Sequence, residues 1–259
     1  MTYSRSRPSP RFLELLDQYR AMHRDGDARH GMAAEHTFDG RSLPRQAYRI
    51  RKLIAATGAR TLLDYGSGKG KQYLPNGIME NGVVRWNSMQ EYWGVESIRC
   101  YDPGYPPFST LPEGCFDGVV CTDVLEHCPE DDMAWIVGGL FGFARRFVFA
   151  NVACYPAIKT LPNGENAHCT IRPIEYWREL FEKAAAAGER GVLWDVWADL
   201  PSGNTTREER FGNFETQPAA APGRTPLWRM GLTTASAAPA PCTRGSRART
   251  RLRASLPPE

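Results

Sequence analysis

Three glycines at alternate positions, Gly66, Gly68 and Gly70, directly follow the apolar run Thr61-Leu62-Leu63-Asp64-Tyr65. Such a turn does binding chemistry, because glycine takes the positive φ of a tight bend and lets a ligand touch backbone where a Cβ would intrude. With 24 glycines in 259 residues, chance alone supplies roughly 0.2 copies of G-x-G-x-G, so the weight lies in its position after a strand. Two ligand classes fail on spacing. A Walker A phosphate loop would require glycine where Tyr65 stands and Ser or Thr where Gln72 stands, and a nicotinamide or flavin fingerprint would require glycine in place of Lys71. Of the acids, Asp64 precedes the turn, and Asp102, which follows the expected strand 97–101, is preferred as the acid ending the second strand over Glu96, which closes the rival segment Trp93-Gly94-Val95-Glu96. Five histidines, His23, His30, His36, His127 and His168, are the side chains able to move a proton near neutral pH.

These residues need a scaffold. Phe12, Leu13, Leu16, Tyr19 and Met22 recur at helical spacing and predict an amphipathic cap helix over 10–23. Ser42 and Pro44 read as the cap and first turn of a second helix that stops at Gly58. Strands are expected at 61–65, 97–101, 116–122, 146–151 and 192–196, with helices after the glycine turn, at 130–144 and at 173–187. This alternation predicts an α/β fold, a doubly wound and mostly parallel sheet with N-terminal helices. The chain divides into a helical cap (1–42), a main domain (43–215) and a tail (216–259) rich in Ala, Pro and Arg, for which composition predicts disorder.

The segment Leu62-Leu63-Asp64-Tyr65-Gly66-Ser67-Gly68-Lys69-Gly70 resembles the first motif of class I (Rossmann-like) methyltransferases, which use S-adenosylmethionine. Two further segments agree in order and spacing. Tyr101-Asp102-Pro103 ends a strand with an acid, and the stretch from Phe116 to His127, running Phe-Asp-Gly-Val-Val-Cys-Thr-Asp-Val-Leu-Glu-His, is similar to the family's fourth-strand segment. The resemblance covers about 61–151. It implies a methyl transfer from S-adenosyl-L-methionine, with Asp102 accepting from the ribose hydroxyls and the turn Gly66, Ser67, Gly68 and Gly70 lying under the methionine and ribose. Asp64 would orient that turn or receive the cofactor's ammonium, while Thr122, Asp123 and Val124 would border the crevice at the strand end. Only 103–115 separate Asp102 from Phe116, too few for a full helix and third strand, so no adenine contact is assigned.

An in-line displacement of this kind asks the protein to align two reactants and exclude water. If the acceptor must lose a proton, His127 and His168 are the catalytic candidates, one after the fourth strand and one in the loop after the fifth. That loop, 151–172, is rich in Pro, Asn, Gly and His and reads as acceptor pocket or lid, with Asn166 and His168 as its polar groups. The pairs His127-Cys128 and His168-Cys169 do not have zinc-ligand spacing and no C-x-x-C occurs, so no metal is assigned. Cys121-Thr122-Asp123-Val124 is not the Asn/Asp-Pro-Pro-Tyr element of enzymes that methylate nucleobase amino groups.

Charge and composition narrow the partners. Residues 216–259 hold seven arginines, no lysine and one acid, so the formal net charge of +3 resolves into +6 for the tail and −3 for the rest. The main body therefore lacks the broad positive field that nucleic acid requires, and a small-molecule acceptor is expected. No apolar run approaches the length of a membrane span, no secretory signal opens the chain, and seven cysteines fit reduced thiols in the cytoplasm. The leading reading is an S-adenosylmethionine-dependent methyltransferase acting on O or N of a small acceptor. Two alternatives stay open: a non-catalytic cofactor- or partner-binding protein of this fold, and an RNA-directed methyltransferase tethered by its arginine tail.

Overall fold

The computed structural model describes residues 2–188 and 191–215, and the expectation of a disordered tail lies outside them. In chain order the main elements are α1 (Pro10–Asp25), α2 (Leu43–Thr57), β1 (Thr61–Tyr65), β2 (Ile78–Glu80), β3 (Val83–Trp86), α3 (Met89–Trp93), β4 (Ser97–Tyr101), β5 (Phe116–Thr122), α4 (Met133–Phe143), β6 (Ala144–Ala153), α5 (Ile174–Ala187), β7 (Leu193–Ser202) and β8 (Thr205–Gly212). Six strands form one sheet in the order β4-β1-β5-β6-β7-β8, parallel except for the antiparallel β7–β8 pair. The chain leaves β1 to one side for β4 and crosses back for β5. The switch point between β1 and β5 therefore opens a crevice at their carboxyl ends.

Alternation along each strand divides the core between two faces. Leu62, Val120, Phe147 and Phe149 pack beneath α2 with Ile50, Leu53 and Ile54. Leu63, Val119, Val148 and Ala150 face α4 and α5 with Ile136, Leu140, Trp177 and Phe181. Each fully buried side chain of this size contributes about 1.5–3 kcal/mol. Gly118 is required here by packing: a Cβ would lie 2.3 Å from the Phe147 ring and 2.8 Å from Leu62 Cδ2. Among the described residues no helix is long and apolar enough to cross a membrane.

Several local expectations change. The glycine turn leads into a single 3-10 turn (Lys71–Tyr73), the β2–β3 hairpin and the short α3, where a longer helix was expected; Pro75, Gly77 and Gly82 interrupt that stretch. Ser42 is itself helical (φ −74°, ψ −37°) and makes no capping bond, whereas Gly58 does end α2 in the left-handed conformation, its N–H 2.8 Å from Ile54 O. On α1 the buried face is rotated from the expected one: Leu13 is half exposed, and Leu15, Met22 and His23 are buried. Ser9 caps that helix through Phe12 N, and its own N–H donates to Asp132 Oδ1 at 3.0 Å, fixing α1 to the segment before α4. β7 runs well past 196, and β8 is an additional, polar edge strand that sequence periodicity did not suggest.

Candidate functional site

A cavity of about 380 Å³ opens at the carboxyl ends of β1, β4, β5 and β6. Its floor holds Gly66, Asp102, Asp123 and Val124; His127 and His168 stand at one side, and Tyr19, His23 and Phe38 cover it from the N-terminal segment. The remaining expected residues do not border it. Asp64, Ser67, Gly68, Gly70 and Thr122 form the frame behind, and all five are in buried positions there.

The turn is held in place by β4. Gly66 and Ser67 donate their N–H groups to Tyr101 O at 2.7 and 3.1 Å, and Gly68 N donates to Asp102 Oδ2 at 2.9 Å. Gly66 (φ +84°) must be glycine, since a Cβ would meet Val124 Cγ2 at 2.3 Å. Asp102 thus sits beside the glycine turn, accepting also from Gly104 N at 2.8 Å through Oδ1. Each carboxylate oxygen retains a further lone pair for a ligand hydroxyl. Burial pushes the Asp102 pKa up, opposed by these backbone N–H groups and by Lys69. Glu96 is exposed and ion-paired with Arg60, away from the cavity. Asp64 is 2% exposed and accepts from Gln72 Nε2 (3.0 Å) and Tyr73 Oη (2.8 Å) through Oδ2, so its place in the structure is that of a group orienting the turn.

The N-terminal segment adds groups that sequence reasoning missed. His23 Nε2 lies 3.8 Å from Asp102 Oδ1, while Lys69 Nζ donates to His23 O (3.0 Å) and sits 3.1 Å from Nδ1. Burial and the Lys69 charge bring the His23 pKa down to about 4, so the ring is neutral at pH 7 and its contact with Asp102 is not an ion pair. The α1 apolar stripe was the available signal for this cover. Nothing in it marked His23, a polar residue that follows the last apolar position of the stripe, Met22.

On the acceptor side, the loop after β6 folds back over α1 through Leu15, Met22, Leu161 and Ala167. Thr170 N donates to Glu126 O (3.0 Å) and Thr170 Oγ1 to Cys128 O (2.6 Å), which docks this loop against the end of β5. His127 and His168 consequently meet edge to face, ring centroids 4.7 Å apart. Each imidazole is oriented by a main-chain carbonyl, His127 Nδ1 donating to Ala167 O at 2.9 Å and His168 Nδ1 to Tyr155 O at 2.6 Å. A carbonyl only accepts, so Nδ1 carries a proton in each ring, and an imidazole with that one proton has its lone pair on Nε2. Tyr19 Oη stands 2.9 Å from His127 Nδ1 and donates to the same carbonyl. Burial lowers the His127 pKa to about 4 although Asp123 pulls it upward. Asp123 itself has φ +59°, the left-handed region that Asp tolerates better than most residues.

Asn166 does not face the cavity. Its side chain clamps the loop, Oδ1 accepting from Ala157 N and His168 N and Nδ2 donating to Ala157 O, all within 2.9 Å. One ligand atom each from Asp123, His127 and His168 lies within 4.8 Å of the others. Local spacing assigned no metal to the His127-Cys128 and His168-Cys169 pairs, and the converging groups are the two histidines of those pairs together with Asp123, without either cysteine. Cys100, Cys121, Cys128, Cys154 and Cys169 are free thiols, and burial raises the pKa of each. No protein-family model, curated protein or solved structure matches the chain.

Proposed function

We propose that this chain is an S-adenosylmethionine-dependent methyltransferase acting on an oxygen or nitrogen atom of a small acceptor. The observation that carries the reading is convergence: Gly66, Asp102 and the pair Asp123–Val124, distant in sequence, border one cavity at the switch point of a wound parallel sheet. The cavity's volume falls within the range of small-molecule sites. The residues present fit the group. Asp102 has carboxylate lone pairs for two ribose hydroxyls, Gly66 offers bare main chain, and Phe12, Leu16 and Met22 supply apolar wall.

When bound, that cofactor supplies an electrophilic methyl on a sulfonium. The chain's own work is alignment and exclusion of water, performed by the glycine turn below and by α1 and Phe38 above. Burial makes His127 a weak proton acceptor at neutral pH, so acceptor-side chemistry belongs to the His127–His168 pair rather than to His127 alone.

Titration calorimetry with S-adenosylhomocysteine tests the proposal. Saturable binding is expected for the native chain, and Asp102→Asn, which keeps an acceptor for Gly68 N but loses the charge, should bind at least about tenfold more weakly. Circular dichroism checks that the variant is folded. Absence of binding by the native chain, or equal affinity in the folded variant, refutes the assignment.

A further inference from the structure

We propose that Asp123, His127 and His168 form a binding site for one divalent transition-metal ion of the zinc type, at the wall of the cavity. Two imidazoles and one carboxylate are a donor set used for such ions, and three protein ligands leave coordination positions open toward a bound molecule. One possible ligand atom from each, an imidazole nitrogen or a carboxylate oxygen, already lies within 4.8 Å of the others. Donors on a tetrahedral zinc ion, each at about 2.1 Å, stand roughly 3.4 Å apart, so a pair at the 4.8 Å limit must close by more than an ångström. Asp123 is exposed and its side chain is free to make that adjustment.

A second observation is independent of the clustering. Both imidazoles direct Nδ1–H to main-chain carbonyls, Ala167 O and Tyr155 O. This is the outer-shell arrangement that fixes the tautomer of a metal-binding histidine and leaves Nε2 as the donor atom. The two carbonyls belong to the loop after β6, and that loop is anchored by Thr170 to the main chain of Glu126 and Cys128. The donors are thus held by separate elements that are themselves tied together, a rigidity that a general-base histidine does not require twice. Lys159, whose charge disfavours a cation here, is partly buried at the cavity rim with its Nζ 5.8 Å from the centre of the Phe38 ring, so its charge is directed at that ring.

The site deepens the proposed function without depending on it: a metal with open positions beside the cavity selects an acceptor that presents a coordinating oxygen. As ligands, His127 and His168 position that acceptor instead of exchanging its proton.

The experiment uses the full chain, stripped with chelator and titrated with Co²⁺ followed by its visible absorption, then with Zn²⁺ in competition. One equivalent of Co²⁺ with a four- or five-coordinate spectrum is expected, displaced by Zn²⁺. Asp123→Asn is the decisive variant, since Asn is equally at home at a positive φ and the backbone is preserved; it should weaken Co²⁺ binding about 10–100-fold. His168→Gln should abolish the spectrum, and His36→Ala, at an exposed histidine away from the cavity, should leave it unchanged. Lack of saturable Co²⁺ binding, or unchanged affinity in Asp123→Asn and His168→Gln, overturns the site. S-adenosylhomocysteine calorimetry on the stripped protein runs in parallel, so that loss of the metal site and loss of the methyltransferase reading are read separately.

Discussion

Asp64→Asn should stabilise this protein at neutral pH, and the gain should shrink as the medium becomes acidic. Asp64 is 2% exposed beneath the glycine turn, with no cation against it and two neutral donors, Gln72 Nε2 and Tyr73 Oη, on one oxygen. Burial outweighs those hydrogen bonds and raises its pKa from 3.8 to about 6. A folded-state pKa above the unfolded value means that ionisation opposes folding, fully above pH 6 and progressively less as the pH falls toward 3.8. Carried through the linkage relation, the penalty is about 3 kcal/mol at pH 7.5 and roughly half that at pH 5. Asn keeps an acceptor oxygen for both donors and removes the charge. Urea unfolding followed by tryptophan fluorescence, run on native chain and variant at both pH values, should therefore give a stability difference near these figures. Taking the difference cancels the other titrating groups, several of which have the opposite sign. Because Asp64 does not border the cavity, affinity for S-adenosylhomocysteine should stay within about threefold. A variant less stable at pH 7.5, or a difference that does not change with pH, refutes the account of Asp64 as a buried, uncompensated charge.

Two further perturbations probe the core and the cover of the cavity. Gly118→Ala forces a methyl to within 2.3 Å of the Phe147 ring and should cost about 1–3 kcal/mol by overpacking, seen as a lower urea midpoint at an unchanged slope; an unaltered midpoint would show that the ring has room to move. His23 has its pKa lowered to about 4 by burial and Lys69, so its contribution to stability is complete above pH 6.5 and is lost as the pH falls toward 4. His23→Gln should accordingly reduce the acid sensitivity of unfolding between pH 7 and pH 5 by about 1–2 kcal/mol, and equal acid sensitivity in both proteins argues against a neutral buried ring.

Short-range physics made much of the scaffold legible before any coordinates. The expected strands ending at Tyr65, Tyr101 and Thr122 are strands in the structure, and Gly58 ends α2 in the left-handed conformation. What failed was also local in origin. Ser42 has the right type for a cap, but the chain was already helical there, and the polar strand β8 has no alternation because as an edge it is held by main-chain pairing to β7. Leu13 and Leu15 both sit on plausible α1 stripes; only the partners that α1 meets, Leu161 and Ala167, decide which one is buried.

By itself the sequence determined the wound sheet, the glycine turn and the acid that ends β4, because strand periodicity and turn chemistry act within a few neighbouring residues. Only the tertiary structure decided that Asp64 lies behind the cavity while Asp102 faces it, that His23 closes over it, and that His127 and His168 meet beside Asp123. Those outcomes depend on where the loop after β6 docks, and that docking is set by contacts between segments far apart in the chain, which no local pattern records.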